Sequence, residues 1–340
     1  MATTRALVID EFGVDLALRD VPRPVPGPGD VLVRVDASGV NPLDTKIRVG
    51  AAAHSQVSVP AILGIDLAGT VVEVGPGVTR FDVGDEVFGM VGGVGGVQGS
   101  LAEYAAVDAD LLAIKPARLS MLESAALPLA VITAWEGLVD RADVSASDLV
   151  LVHGGAGGVG HVAVQLALAQ GAVVFATGSA RSLDVIRGLG AEPIDRATPV
   201  TRYVGDTTGG LGFDIIFDTV GGSTLDDSFG AVRSYTGHVV NILGWGTHRL
   251  APLSFRAATY SGVFTLLPLL TGQGRAHHGE ILAAAAELVD DGTLSPILDK
   301  TAYGWKDIEH AHKRVESGTA NGKVVIDLSA RPTDPSKGQR

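Results

Sequence analysis

The feature that most constrains the fold is the stretch at residues 148–160, which reads DLVLVHGGAGGVG. Four apolar residues at 149–152 form a short continuous run, which is typical of a strand buried on both faces. Glycines follow, and from Val159 the apolar spacing becomes helical until Gly171 ends the pattern. A strand, a glycine turn and a helix in this order predict one unit of a parallel α/β sheet.

Within this stretch the glycines follow the spacing G-x-G-x-x-G, at Gly155, Gly157 and Gly160. In a dinucleotide site the first glycine makes the turn, the second lets the backbone approach a pyrophosphate, and the third lets helix and strand pack closely. The helix N-terminus then offers unpaired N–H groups to the phosphates. A plain tight turn is the alternative, because the chain contains 45 glycines. The flanking strand and helix favour the dinucleotide site.

Composition narrows the class of protein. The formal net charge of −12 disfavours nucleic acid or an anionic membrane as the main partner. There are no cysteines, so disulfides and thiolate-ligated zinc are excluded. The N-terminus enters a strand pattern without a signal peptide, and the uncharged stretch 149–180 is interrupted by glycines, so it predicts buried sheet rather than a membrane span. We therefore expect a cytoplasmic protein with no membrane partner.

The pattern of predicted secondary structure changes near Ser120. Residues 1–116 predict short strands between Gly/Pro turns, and the second glycine cluster at 89–99 predicts a flexible loop. Ser120 and Glu123 have the spacing of a capping box. Beyond them, strands and helices alternate, which predicts a doubly wound parallel sheet. Its predicted strands are 149–152, 172–176, 192–194, 213–218, 238–243 and, as a sixth, 260–266.

The position that distinguishes the two nicotinamide dinucleotides lies roughly 20 residues beyond the glycine motif. An NAD site has a carboxylate there, but residues 176–182 read ATGSARS, and Asp184 comes too late. Ser179 and Arg181 can instead bond to a 2′-phosphate, the arginine through a charge-assisted contact. A solvated arginine at a helix start is the alternative. The sequence thus predicts NADPH as cofactor, and it predicts that Arg181→Glu weakens NADPH binding more than NADH binding.

Further segments, spread over nearly the whole chain, are typical of a known family. They are SGVNPLDTKIRVG (38–50), VPAILGIDLAGTVVEVGPGVTRFDVGDEVFG (59–89), GSLAEYAAV (99–107), ALPLAVITAWEGL (126–138), FDIIFDTVGG (213–222) and GKVVI (322–326). On these segments the chain resembles the zinc-free quinone oxidoreductase branch of the medium-chain dehydrogenase/reductase superfamily, which includes zeta-crystallin.

The resemblance implies an α/β fold with two domains. Residues 1–126 and 267–340 would form a discontinuous, GroES-like β-rich catalytic domain, and residues 127–266 a Rossmann NADP-binding domain with a doubly wound parallel sheet. It also implies a homodimer that pairs through the edge strand near 260–266.

Two departures from the zinc-dependent alcohol dehydrogenases bear on the chemistry. Asn41 stands where those enzymes have a ligand cysteine, and Gly64-Ile65-Asp66 stands where they have G-H-E. We therefore expect no metal. Without zinc, oxidation of a simple alcohol is disfavoured because its proton has a very high pKa. A quinone or conjugated enone is already electrophilic, so positioning and hydrogen bonds suffice for hydride transfer to it.

These points predict an NADPH-dependent, metal-free reductase of quinones. One alternative is a reductase of α,β-unsaturated carbonyls or enoyl thioesters. The other comes from a different class: a non-catalytic NADPH-binding structural or sensor protein.

The candidate site residues come mostly from the resemblance. Asn41 would lie beside the nicotinamide, or be a plain turn asparagine before Pro42. Lys46 stands where the family often has tyrosine, and could polarise a carbonyl or donate a proton, or be simply solvated. These two are the catalytic candidates. The expected cofactor contacts are Asn41, Thr133, Gly155, Ala156, Gly157, Gly158, Val159, Gly160, Ser179, Arg181, Val220, Asn241, Leu243, Phe264, Thr265 and Lys323, of which Val220 and Leu243 could equally be core.

Overall fold

Two β-sheet systems organise the residues that the computed structural model describes, which are residues 2–330. These residues divide into unit 1 (2–129, 266–291 and 296–330) and unit 2 (130–265 and 292–295). Residues 292–295, which the resemblance assigns to the first domain, group with unit 2. The reason is local: the Gln165 side chain accepts the Ser295 N–H at 2.9 Å and donates to the Ser295 carbonyl at 3.0 Å.

The secondary structure consists of short strands and mostly short helices. In chain order the strands are β1 (Thr3–Ile9), β2 (Ala17–Pro22), β3 (Asp30–Val40), β4 (Ala61–Ile62), β5 (Asp66–Val74), β6 (Glu86–Met90), β7 (Tyr104–Asp108), β8 (Leu112–Ile114), β9 (Leu149–His153), β10 (Val173–Gly178), β11 (Glu192–Asp195), β12 (Ile215–Asp218), β13 (His238–Asn241), β14 (Thr259–Gly262), β15 (Tyr303–Gly304) and β16 (Val324–Asp327). The α-helices are α1 (Pro42–Arg48), α2 (Met121–Ala125), α3 (Pro128–Trp135), α4 (Gly160–Ala169), α5 (Leu183–Gly188), α6 (Val200–Thr208), α7 (Ser223–Ala231), α8 (Ala251–Phe255), α9 (Leu267–Thr271), α10 (Arg275–Asp290) and α11 (Ile308–Glu316).

Unit 1 is built on mainly antiparallel strands, as its Gly/Pro-punctuated sequence predicts. A three-stranded sheet has the order β2-β1-β4, and a seven-stranded sheet has the order β15-β16-β3-β5-β6-β8 with β7 also paired to β3. Strand β3 lies between β5 and β16, with Gly39 opposite Asp66 and Val40 opposite Val324. This register places the first residue after β3, Asn41, beside Asp66 and Lys323.

Unit 2 contains the predicted doubly wound sheet. Its six strands are all parallel, in the order β11-β10-β9-β12-β13-β14. The chain winds outward in both directions from β9 and β12, so the switch point of the sheet lies between these two strands. The α/β fold predicted for the chain is therefore confirmed, and the glycine turn follows β9 at the switch point.

Two predicted strands of unit 2 end earlier than expected. Strand β13 ends at Asn241 rather than 243, because the Asn241 side chain accepts the Leu243 N–H at 2.9 Å and turns the chain. Strand β14 ends at Gly262 rather than 266. The apolar residues after it lead into α9, whose first turn contains Pro268, a residue well suited to a helix start.

The second glycine cluster is a loop, but its glycines serve close packing rather than an open, flexible segment. Val91 and Val94 are buried. A Cβ on Gly92 would lie 2.0 Å from the Gln98 carbonyl oxygen, and one on Gly99 would lie 2.2 Å from the Leu63 carbonyl oxygen. Glycine is needed here because backbone meets backbone.

Across residues 2–330, no helix has both the length and the apolar character required to cross a bilayer. Residues 331–340, which the resemblance includes in the first domain, lie outside the described residues.

Candidate functional site

The three motif glycines of unit 2 differ in the space around them, and the left-handed residue of the turn is Gly154 rather than Gly155. A Cβ on Gly155 would lie 2.5 Å from the Ala176 Cβ, and one on Gly160 would lie 2.1 Å from the Gly154 carbonyl oxygen. These two glycines are therefore required by packing. A Cβ on Gly157 would have one neighbour, the Gly154 oxygen at 3.1 Å, so this position keeps open space on its other sides. Open space at the second glycine is what a pyrophosphate needs.

A cavity of about 600 Å³ lies against this turn. Four of the predicted cofactor residues line it: Ala156, Gly157, Ser179 and Val220. They come from the turn itself and from the carboxyl ends of β10 and β12, which are neighbours of β9 in the sheet. The other turn residues, Gly155, Gly158, Val159 and Gly160, are not among its lining residues.

The cavity is lined by Arg196 rather than by the predicted Arg181. Arg181 lies in a short 3₁₀ turn after β10 and is exposed. Arg196 is the first residue after β11, which pairs in parallel with β10 so that Asp195 lies opposite Gly178. The Arg196 N–H donates to the Gly178 carbonyl at 2.8 Å, which holds Arg196 close to Ser179. The available signal was an arginine two residues beyond the end of the third predicted strand, 192–194.

Asn241 is tied to other protein groups. It is 1 % exposed, its Nδ2 donates to the Asp218 carboxylate at 2.9 Å, and its Oδ1 accepts the Leu243 N–H. The fully buried Asp218 also accepts the Val220 N–H at 2.8 Å. Asn241 therefore shapes the two loops that carry Val220 and Leu243. Of these two, Val220 is exposed and not core, whereas Leu243 is half-buried.

His153, the last residue of β9, also lines the cavity, although it is only 3 % exposed. Its Nδ1 lies 3.1 Å from the Thr177 hydroxyl, which itself accepts the Gly154 N–H at 3.2 Å. Burial lowers the pKa of His153 to about 4, although the charge of Asp218 acts in the opposite direction. The imidazole is thus neutral at neutral pH, and it supports the start of the glycine turn.

In unit 1 the predicted Asn41 and Lys323 belong to one buried polar cluster. The Asn41 Nδ2 donates to the Asp66 carboxylate at 2.8 Å, and the Lys323 ammonium donates to the Asn41 Oδ1. Lys323 lies 3.5 Å from Asp66, which also accepts the Leu129 N–H at 2.9 Å. Asp44 accepts the Asn41 N–H at 2.8 Å and so closes the start of α1. Each of the four polar side chains is at least nine-tenths buried.

This cluster limits what Asn41 and Lys323 offer a ligand. The carboxamide oxygen of Asn41 is bonded to Lys323, and one of its two N–H groups is bonded to Asp66. The Asn41 side chain also acts as a hydrogen-bond donor towards the Asp44 carboxyl group, which partly offsets the rise in the pKa of Asp44. Asn41 is therefore more than a turn residue before Pro42: it joins β3, β5 and the start of β16.

The cluster contains a carboxyl group with a strongly shifted pKa. Burial raises the pKa of Asp44 to about 7 from 3.8, and the neighbouring Asp66 contributes in the same direction. Burial also raises the pKa of Asp66, against the lowering effect of the Lys323 ammonium. A folded pKa above the unfolded one means that the stabilisation is complete below the unfolded pKa and is lost as pH rises through the folded pKa.

We therefore expect Asp44→Asn to gain stability relative to the wild type as pH rises, with most of the change between pH 4 and 7. The carboxamide keeps an oxygen for the Asn41 N–H but carries no charge. Urea unfolding between pH 4 and 8 measures the difference. The exposed Asp184→Asn is the matched control and should show no such trend. A wild-type-like pH profile for Asp44→Asn would contradict the assignment.

The other candidates lie in two places. Lys46 is exposed on α1, and within residues 2–330 its ammonium makes no hydrogen bond or ion pair. In unit 2, Thr133 on α3 and Thr265 are buried. Phe264 is half-buried, and its ring packs edge-on against Trp245 with centroids 6.2 Å apart. The cavity at the glycine turn is lined by none of these four residues.

Comparisons with known proteins agree with this architecture. Residues 27–117 match the family model described as an alcohol dehydrogenase GroES-like domain, and residues 189–326 match the one described as a zinc-binding dehydrogenase. A 2-methylene-furan-3-one reductase of Solanum lycopersicum is 35 % identical, covering 87 % of this chain and 71 % of its own. An NADPH-dependent alkenal/one oxidoreductase of Arabidopsis thaliana is 34 % identical, with the same coverage. A quinone-oxidoreductase homolog of Spinacia oleracea is 32 % identical, covering 92 % of this chain and 94 % of its own.

Solved structures extend the comparison. An alcohol dehydrogenase superfamily protein from Novosphingobium aromaticivorans superposes with a TM-score of 0.94 at 54 % identity, covering 96 % of this chain and 100 % of the other. The enoyl reductase CurK superposes with a TM-score of 0.84 at 26 % identity, covering 95 % of this chain and 99 % of the other.

The zinc named in one matching description does not fit the residues present. The ligand cysteine is replaced by Asn41 and the histidine of G-H-E by the apolar Ile65, and the ammonium of Lys323 lies against Asn41 and the neighbouring Asp66. A second cation placed there would be repelled by the first. Nor does any group of three or more His, Asp or Glu side chains in residues 2–330 form a candidate metal site.

Proposed function

The chain belongs to the medium-chain dehydrogenase/reductase superfamily of oxidoreductases, and from that premise we propose that it is an NADPH-dependent, metal-free reductase of quinones. The choice of NADPH as cofactor is supported by the cavity at the glycine turn. The backbone at Gly157 is open, Ser179 and Arg196 line the cavity, and no carboxylate occupies the position that an NAD site requires. A guanidinium and a hydroxyl beside each other suit a phosphate monoester.

The choice of acceptor follows from the residues that the chain lacks. NADPH supplies a hydride when it is bound. A chain without cysteine, and with the ammonium of Lys323 beside Asn41 and Asp66, does not offer the ligands that would hold a zinc ion to acidify an alcohol. A conjugated acceptor needs only orientation and a hydrogen-bond donor for the oxygen that becomes negative. The Nδ2 group of Asn41 and the ammonium of Lys46 are the donors we propose for that oxygen.

Reduction of α,β-unsaturated carbonyls is the second candidate, because two of the relatives are named as reductases of such compounds. The enoyl reductase structure extends this alternative to enoyl thioesters. NADPH oxidation measured at 340 nm against a panel of quinones, linear enones and enoyl thioesters separates the candidates. Turnover with quinones only supports the first proposal, and turnover with enones only supports the second. No turnover with any of them would contradict both.

Arg196→Glu should weaken NADPH binding by about tenfold or more and leave NADH binding nearly unchanged, because it replaces a phosphate partner by a like charge. Fluorescence titration of both dinucleotides measures the ratio. Arg181→Glu is the matched control, since this arginine is exposed and outside the cavity. If Arg181→Glu alters the ratio and Arg196→Glu does not, the phosphate partner is Arg181, as the sequence by itself predicted.

Lys46→Ala should lower turnover without changing NADPH affinity, because the ammonium is exposed and contributes nothing to the dinucleotide cavity. Steady-state kinetics and a fluorescence titration give the two numbers. Unchanged turnover would assign Lys46 to the solvated surface.

We also propose a homodimer and a cytoplasmic location. Strand β14 lies at the edge of the parallel sheet, where a second copy can add its own edge strand. Cell fractionation tests the location. Sedimentation of the purified protein tests the dimer.

A further inference from the structure

Helices α6 and α7 each contribute a polar side chain to the cavity at the glycine turn. Tyr203 of α6 is 5 % exposed, and its ring packs against Phe213 with centroids 6.3 Å apart. Throughout residues 2–330, its hydroxyl has no hydrogen-bond partner. Asp227 of α7 is exposed and lines the same cavity, and its carboxylate has no hydrogen bond or ion pair in the described part of the chain. Two adjacent helices thus present an unpartnered hydroxyl and an unpartnered carboxylate to one cavity.

Both groups line this cavity, and the charge of Asp227 acts on the Tyr203 phenol. The pKa of Tyr203 is raised by burial and then by the charge of Asp227, with Asp218 contributing less. Tyr203 therefore stays a neutral phenol that donates an O–H, and Asp227 is an acceptor. Together they can pair with a ligand that brings both an N–H donor and a ring-nitrogen acceptor into this cavity.

The position of the cavity indicates which part of a bound dinucleotide would present this donor and this acceptor. Ser179 occupies the place where a dinucleotide site contacts the adenosine ribose, and Gly157 faces the pyrophosphate. Beyond the ribose comes the base. In adenine, the 6-amino group is a donor and N1 beside it is an acceptor. In hypoxanthine, position 6 is an acceptor oxygen and N1 is a donor.

We propose that Tyr203 and Asp227 form a base-reading subsite that selects adenine, with the 6-amino group donating to Asp227 and the Tyr203 hydroxyl donating to N1. The inference rests on the proposed NADPH function. A hypoxanthine base places its oxygen against the Asp227 carboxylate, where two acceptors repel and neither is satisfied. Specificity for the base then comes from α6 and α7, and specificity for the 2′-phosphate comes from the ends of β10 and β11.

The adjacent acid on α7 offers a matched control. Asp226 bonds to the His248 ring at 3.0 Å and does not line the cavity. Asp227→Asn and Asp226→Asn remove the same charge from neighbouring residues of one helix, so long-range electrostatics change almost equally. Tyr203→Phe removes only the hydroxyl and keeps the ring that packs on Phe213.

The test compares NADPH with the reduced form of nicotinamide hypoxanthine dinucleotide phosphate, by fluorescence titration of each protein. The wild type should bind NADPH about tenfold or more tightly than the hypoxanthine analogue. Asp227→Asn should bring the two affinities within about twofold, because a carboxamide can both donate and accept. Asp226→Asn should keep the wild-type ratio. Tyr203→Phe should weaken both dinucleotides, because the phenol can donate to N1 of adenine or accept from N1–H of hypoxanthine.

Each contrary result has a distinct meaning. Tight binding of NADPH with equal affinity for the analogue would overturn the base-reading subsite and leave the proposed function intact. A wild-type ratio in Asp227→Asn, or equal changes in Asp226→Asn and Asp227→Asn, would also overturn it. No saturable binding of either dinucleotide would overturn the proposed function, and the subsite with it.

Discussion

Replacing Lys323 by methionine is expected to lower the free energy of unfolding by about 3–5 kcal/mol. The ammonium lies 3.5 Å from the carboxylate of Asp66, which is fully buried, and it also bonds to Asn41. Methionine fills a similar volume but leaves the Asp66 charge without its cation. A carboxylate in that position must be protonated or hydrated, and both cost free energy that the folded state otherwise keeps.

Urea unfolding at pH 7 measures this loss, with two comparisons. Lys313→Met changes an exposed lysine of α11 and should stay within about 0.5 kcal/mol of the wild type. The double variant Lys323→Met with Asp66→Asn should recover part of the loss, because the carboxamide has no charge to compensate. A loss below about 1 kcal/mol for the single variant would mean that Lys323 and Asp66 do not form a buried pair in solution.

The second large effect concerns binding rather than folding. Gly157→Ala should reduce dinucleotide affinity by roughly tenfold to a hundredfold and leave the unfolding free energy within about 1 kcal/mol. The added methyl has a single protein neighbour, the Gly154 oxygen at 3.1 Å, so it projects into the space where the backbone meets the pyrophosphate. Fluorescence titration with NADPH and urea unfolding separate the two effects.

Substitutions of two other glycines serve as comparisons for Gly157→Ala. Gly160→Ala places a methyl 2.1 Å from the Gly154 oxygen, so it should destabilise the fold by about 1–3 kcal/mol. Gly188→Ala, at the end of α5, meets nothing within 4 Å and should be silent in both measurements. If Gly157→Ala binds NADPH like the wild type, the glycine turn is not where the pyrophosphate lies.

Local patterns in the sequence were sufficient for several elements because each depends on neighbouring residues only. The capping box at Ser120 is present, with the Ser120 hydroxyl accepting the Glu123 N–H and the Glu123 carboxylate accepting the Ser120 N–H. The strand, glycine turn and helix at 148–169 formed as predicted. The site residues Ala156, Gly157 and Ser179 lie at one cavity because parallel strands bring their carboxyl ends to one edge.

Side-chain partners across strands were harder to predict. Arg196 was missed because its distance from Ser179 depends on the register of β11 against β10, which no local pattern specifies. Asn41 and Lys323 are predicted cofactor contacts, and the structure adds that they bond to each other because β16 pairs with β3. The loop at 89–99 was expected to be flexible, but it is closely packed at Gly92 and Gly99. The sequence could not show this because glycines cluster both in open loops and where two backbones touch.

The sequence by itself determined the class of fold, the place of the glycine turn and the absence of cysteine ligands, since apolar period, glycine spacing and residue type are local properties. Only the tertiary structure decided which arginine lines the cavity, which residues share the buried charge of Asp66, and which helices contribute side chains to the cavity at the glycine turn. Those relations join residues far apart in the chain, and strand register and helix packing bring them together.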